Sequence, residues 1–144
     1  MLTKMNLSEE EKAELIAAAK TVTAKAYAPY SGFRVGAAVL TEMGNIFVGC
    51  NVENSSYGMT ICAERTAIVS AVTKEGGDLM RIRAIAIASD PVTFCSPCGA
   101  CRQFIYEFGA DAVVIFPGRE RIKEVLAREL LPEGFSWSQN FARD

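Results

Sequence analysis

Apolar residues fall along this chain in runs whose spacing alternates between helical and extended. Leu15, Ile16, Ala19, Val22 and Ala26 form a stripe at the helical period. Asn6 or Ser8 can cap that stripe, and Glu9, Glu10 and Glu11 suit the positive end of a helix, which is predicted to stop near Ala28-Pro29. Val35 to Leu40 and Ile46 to Val52 read as strands, and the turn composition of Glu42-Met43-Gly44-Asn45 between them predicts an antiparallel hairpin. A loop over Asn54 to Gly58 follows, then Thr60 as the cap of a helix running to about Lys74, where Gly76-Gly77 stops it. Ile82 to Ala88 is a third strand, Ser96-Pro97 opens a helix that ends near Phe108-Gly109, and Val113 to Phe116 is a fourth strand. Ile122, Val125, Leu126 and Leu130 have helical spacing in a short, partly β-branched segment, so periodicity alone leaves strand or helix open before Pro132. The order αββαβαβ implies an α/β fold, one sheet with helices packed on it in two or three layers.

Composition narrows this to one domain over residues 1–144, because 50% of the residues are hydrophobic and only 22% charged, enough to bury a real core. Mean hydropathy is +0.16, apolar for a small chain, which points to surface covered by a partner chain. The tail adds to that expectation, since Phe135, Trp137 and Phe141 sit among polar residues where a free terminus has no use for them. A net charge of -2 without any block of five like charges opposes a polynucleotide track. No basic start with an apolar run, and no stretch of about 18 apolar residues, marks a leader or a membrane span, so a cytoplasmic chain is expected. Five cysteines, an odd number, then read as thiols or metal ligands and not as a disulfide framework.

The chain has no histidine, which excludes Ser-His-Asp and Cys-His triads and leaves carboxylates to move protons. Cys62-Ala63-Glu64 and Pro97-Cys98-Gly99-Ala100-Cys101 both sit at predicted helix starts, where open amides and the helix dipole favour thiolates. Three thiolates can hold zinc and leave its fourth position to water, while Glu64 handles protons without binding the metal. With cysteine as first ligand, this is the signature of zinc deaminases of nucleobases. Cys95 raises a rival, since Cys95, Cys98 and Cys101 also make the CxxCxxC that opens an iron–sulfur run; a closed four-cysteine zinc is a third reading. Cys50 and Cys95 otherwise read as small buried residues. Arg65 can offset the negative charge of the thiolates, although a helical arginine is as readily a surface residue.

Taken in order, Ala28-Pro29-Tyr30-Ser31, Val35-Gly36-Ala37-Ala38, Gly49-Cys50-Asn51-Val52-Glu53-Asn54, Cys62-Ala63-Glu64-Arg65-Thr66-Ala67, Ser96-Pro97-Cys98-Gly99-Ala100-Cys101-Arg102-Gln103 and Glu129-Leu130-Leu131-Pro132 resemble the homotetrameric cytidine deaminases with three zinc cysteines. The resemblance implies a five-stranded mixed sheet flanked by helices, with Ile122 to Val125 as fifth strand. It implies one zinc per chain on Cys62, Cys98 and Cys101, Glu64 as proton shuttle, and Arg65 hydrogen-bonded to the ligating sulfurs. The activity implied is hydrolytic deamination of cytidine and deoxycytidine with release of ammonia, as in pyrimidine salvage. Asn51 and Glu53 would hold ribose hydroxyls, Phe33 would lie near the nucleoside, and the backbone of Ala63 would contact the base. Phe135 would cover the base in a neighbouring subunit's site, making the active sites of the homotetramer shared. Read from the residues alone, Asn51 and Glu53 are ambiguous, since polar positions two apart at a strand end are usually the wet face of a sheet. A same-fold deaminase of another aminopyrimidine, such as blasticidin S, and a metal-binding module without catalysis are the competing readings. The short segment between Phe116 and Ile122, together with Cys95 and Trp137, departs from the family pattern.

Overall fold

Helix α1, Glu9–Val22, starts where the sequence provides a reciprocal cap. Ser8 Oγ accepts from the Glu11 amide at 3.0 Å and the Glu11 carboxylate accepts from the Ser8 amide at 3.0 Å, satisfying two of the helix's open donors. The computed structural model describes residues 7–137, so Asn6 and Phe141 of the sequence reading lie outside the described residues. The helix ends earlier than its apolar stripe predicts. The buried Thr23 hydroxyl donates back to the Lys20 carbonyl at 2.6 Å, and the chain tightens into a 3₁₀ turn over Thr23–Lys25 before Ala26 becomes extended.

Strands β1, Arg34–Thr41, and β2, Ile46–Cys50, form the antiparallel hairpin. Strand β3, Ile82–Asp90, pairs antiparallel with β1 and parallel with β4, Val113–Pro117, and β5, Ile122–Leu126, closes the far edge antiparallel to β4. The order β2-β1-β3-β4-β5 gives the expected five-stranded mixed sheet. The ambiguous apolar segment resolves into two elements: strand β5, then a single helical turn over Ala127–Leu130. Its helical spacing spans that junction.

Helix α2 covers Ala63–Glu75 and ends at Gly76, whose φ of 97° is a conformation that favours glycine. Helix α3 covers Gly99–Phe108. Neither predicted cap holds. Thr60 instead accepts from the Asn54 amide at 3.3 Å, and the helices start after Cys62 and Cys98, the residues with extended backbone immediately before them.

Alternation along the strands decides between two layers and three. Ala37, Val39, Ile85, Ile87, Val114 and Phe116 pack with Ala67, Ile68 and Ile105 of α2 and α3. Ala38, Leu40, Ala84, Ala86, Val113 and Ile115 pack on the other face with Leu15 and Ala19 of α1. The sheet is therefore the middle of three layers. On the α2 side, a Cβ on Gly49 would lie 2.3 Å from the Ala67 amide nitrogen and 2.8 Å from the Ala63 carbonyl, so only glycine lets the first turn of α2 press onto β2.

Candidate active site

Helices α2 and α3 aim their N-termini at one place. Cys62 is the residue before α2 and Cys98 the residue before α3, both extended and neither closing its helix with a side-chain hydrogen bond. Cys101 lies in the first turn of α3. The three Sγ atoms lie within 4.8 Å of one another, with Cys101 buried, Cys62 half-buried and Cys98 exposed. Tetrahedral thiolates about 2.3 Å from one ion sit about 3.8 Å apart, so three sulfurs already this close need only a small inward shift to hold a single zinc, and the exposed Cys98 side leaves room for a fourth ligand. Cys95 is not part of this group. Its amide donates to the Pro117 carbonyl at 2.9 Å, and burial pushes its thiol up to about 11, which suits an inert residue and removes the support for the iron–sulfur and four-cysteine readings.

The cluster is polarised even without metal. Hydrogen bonding from the Cys101 thiol, with help from the Arg65 guanidinium, lowers Cys62 to about 5, while the same partnership and burial raise Cys101. Arg65 Nη2 lies 3.5 Å from Cys62 Sγ, and its guanidinium carbon is 6.0 Å from the Phe104 ring centroid, so this helical arginine belongs to the site. Glu64, the residue before Arg65 in the first turn of α2, is only 5% exposed. Burial raises its carboxyl to about 7, and the neighbouring Cys62 charge pushes in the same direction. A carboxyl in that range both accepts and gives up a proton near neutral pH.

Arg102 is a structural partner that sequence reasoning missed. Its Nε donates to the Pro97 carbonyl at 2.7 Å and Nη1 to the Leu130 carbonyl at 3.1 Å, holding the segment that enters Cys98. Its position right after a ligand is the one sequence signal that could have singled it out.

Asn51 and Glu53 lie beyond the end of β2, not within it, because the chain leaves β1 after Cys50 and Val52 bridges to Tyr27 and Ile61. Asn51 Oδ1 accepts from the Val35 amide at 2.8 Å and Nδ2 donates to the Phe33 carbonyl at 2.9 Å, so this buried amide frames the Phe33 loop. Glu53 Oε1 accepts from the Tyr30 and Ser31 amides at 3.0 and 3.1 Å, and Oε2 from the Ser31 hydroxyl. These bonds, the Ser31 hydroxyl first, hold the Glu53 carboxyl below its ordinary value. Glu53 also borders a hollow of about 290 Å³ shared with Tyr30, Ser31, Tyr57 and Thr60. In the sequence Tyr30 and Ser31 stand out only as part of Ala28-Pro29-Tyr30-Ser31, and a contact spanning 22 residues has no periodic signature. Ala63 is fully buried at the start of α2, and Phe33 is half-buried. Phe135 is 56% exposed, its carbonyl held by Gln103 Nε2 at 3.0 Å beside α3.

Residues 9–117 match the family model of the cytidine and deoxycytidylate deaminase zinc-binding region. The chain is 48% identical over 139 residues to a protein of Dictyostelium discoideum named as a probable cytidine deaminase, covering 95% of this chain and 92% of that one. It is 46% identical over 125 residues to the cytidine deaminase of Sporosarcina psychrophila, covering 85% and 90%. Among solved structures, the cytidine deaminase of Burkholderia pseudomallei matches with a TM-score of 0.75 at 44% identity, covering 85% of this chain and 98% of that one. With the family model spanning most of its length and a zinc-competent cysteine cluster at its centre, the chain belongs to the cytidine and deoxycytidylate deaminase family.

Proposed function

We propose that this chain is a zinc-dependent hydrolase that converts cytidine and deoxycytidine to uridine and deoxyuridine, with one zinc held by Cys62, Cys98 and Cys101. The observation that carries the reading is a carboxyl, Glu64, buried beside three convergent thiols and raised to about 7. Bound there, zinc supplies a water acidified toward neutral pH. Glu64 is placed to accept one proton from the attacking water and deliver it to the ring nitrogen, and then to carry the remaining proton of the C4 hydroxyl to the amine, so that C4=O would form as the C4–N bond breaks and ammonia leaves. Arg65 and the open amides of α2 and α3 offset the negative charge of the thiolates. A metal module without catalysis has no need of a buried carboxyl at this point.

Glu53 is the side chain best able to take a ribose hydroxyl. An ionised carboxylate offers about four lone-pair positions. Tyr30 and Ser31 fill Oε1 and the Ser31 hydroxyl fills one position on Oε2, leaving that oxygen able to accept once more. Asn51 and Phe33 shape the wall behind it, and the buried Ala63 brings backbone close to the base. A deaminase of an antibiotic without an ordinary ribose has no use for this arrangement.

Homotetramers with shared sites account for the exposed apolar side chains near the metal helices. Tyr57 is 75% exposed, Met59 64%, Phe135 56% and Trp137 49%, more than a free surface normally presents together. Phe135 then covers a neighbour's site. The five cysteines are free, which suits a reducing compartment such as the cytoplasm, and among the described residues no helix is long and apolar enough to cross a membrane.

The purified protein should contain about one zinc per chain and release ammonia from cytidine and deoxycytidine, but not from cytosine, CMP or blasticidin S. Turnover of blasticidin S alone, or no turnover with zinc bound, would refute the reading. Mixing Phe135→Ala chains with Glu64→Ala chains should restore partial activity after subunit exchange. A fully active monomer would rule out sharing.

A further inference from the structure

The β4–β5 hairpin carries a group of cations for which the deamination site has no use. Gly118 donates to the Arg121 carbonyl at 2.9 Å, and a Cβ at Gly118 would lie 2.5 Å from that carbonyl oxygen, so the turn is as tight as it is because this residue is glycine. Arg121 is the residue before β5 and Lys123 lies within it, and both border one hollow. Lys123 pairs with Phe116 across the hairpin, and Phe116 belongs to the core on the α3 side, so the Lys123 face of β5 looks toward α3.

These cations line a real hollow. A cavity of about 400 Å³ is bordered by Phe94, Ser96, Arg102, Arg119, Arg121 and Lys123. Among the described residues no carboxylate lies within ion-pair distance of Arg119, Arg121 or Lys123. Glu120 is the acid on the rim. The Arg119 guanidinium carbon stacks 4.4 Å from the centroid of Phe94, which orients the guanidinium edge, and Phe94 as a residue stays 41% exposed. In a chain with net charge -2, four cationic side chains around one cavity are a local excess that screening by water alone does not require.

We infer that this cavity binds a small ligand bearing two or more phosphates, held by Arg119, Arg121 and Lys123, with Ser96 and the remaining Arg102 donors on the opposite wall. Guanidinium forks match phosphate oxygens two at a time, and the volume lies in the range of sites for nucleotide-sized molecules. The part of Phe94 that Arg119 leaves exposed can take a base. Free polyphosphate and a nucleoside triphosphate share the recognised group, and the test separates them.

Isothermal titration of the zinc-loaded full chain with ATP, inorganic triphosphate and adenosine measures binding without turnover, so its result is independent of the deaminase reading. ATP and triphosphate should bind, more weakly as salt rises, and adenosine should not. Tighter binding of ATP assigns the base to Phe94, and equal binding assigns the site to the polyphosphate. Arg119→Ala with Arg121→Ala should weaken binding by at least about tenfold. Lys123→Gln should weaken it in the same direction. Glu120→Gln should tighten it, a gain that misfolding cannot imitate. Absence of binding by either phosphate ligand, or variants that bind as the parent does, would overturn the proposal.

Discussion

Helix α1 closes its first turn with its own side chains, whereas α2 and α3 leave theirs to thiols. Ser8 and Glu11 satisfy each other's amides at α1, and the Glu11 carboxylate is held low by Arg83, which donates to it at 2.6 Å, and by the Ser8 amide. At α2 and α3 the residue before the helix is cysteine, and no side chain caps the open amides. A sulfur is a poor substitute for the Ser, Thr, Asp or Asn preferred there, so these two helix starts give up stability that α1 keeps. What they gain is a pair of positive helix ends converging on three sulfurs. The difference marks one helix start as structural and two as chemical.

The largest effect should come from the chemical side. Glu64→Gln keeps the shape of the buried side chain and removes its proton, so turnover should fall by at least about 10² with zinc content unchanged. Near-normal turnover in that variant would assign the proton work to another carboxylate. On the structural side the expected effect is smaller and of another kind. Ser8→Ala should cost about 1 kcal/mol of stability, read as a lower denaturation midpoint, and leave kcat and KM alone. A change in kcat would mean that α1 is coupled to the site through the sheet.

The same contrast explains what could be read from the chain itself. The central strands were legible because both of their faces are buried and they read as near-continuous apolar runs, and Cys62, Glu64, Cys98 and Cys101 were legible because each cluster lies within about one helical turn. Caps were misjudged at Thr60 and at Ser96-Pro97 for a chemical reason: oxygen-bearing residues were expected where cysteine in fact stands. The bonds of Glu53 to Tyr30 and Ser31, and of Asn51 to the Phe33 loop, join positions 16 to 23 residues apart in sequence. No local pattern encodes them, and Asn51 and Glu53 carry a functional signal only through the family resemblance. The extent of β5 was hidden because strand and helical turn follow each other without a break.

The smallest effect should be a gain. Cys62→Ser places a preferred capping oxygen at the start of α2, able to accept from the open amides of Glu64 or Arg65, and so should add about 0.5–1 kcal/mol to the stability of chelator-treated protein. The thiolate bond to Arg65 is lost in the exchange, but that arginine is partly exposed and keeps its contact with Phe104. With zinc present the order should reverse. The metal binds the folded chain and stabilises it by mass action, and removing one of three thiolates weakens that binding. Denaturant midpoints of both proteins with and without zinc therefore test whether the cysteine start exchanges stability for chemistry. If Cys62→Ser is less stable than the parent even without metal, the thiolate–Arg65 pair is itself a strong structural element, and α2 is built like α1 after all.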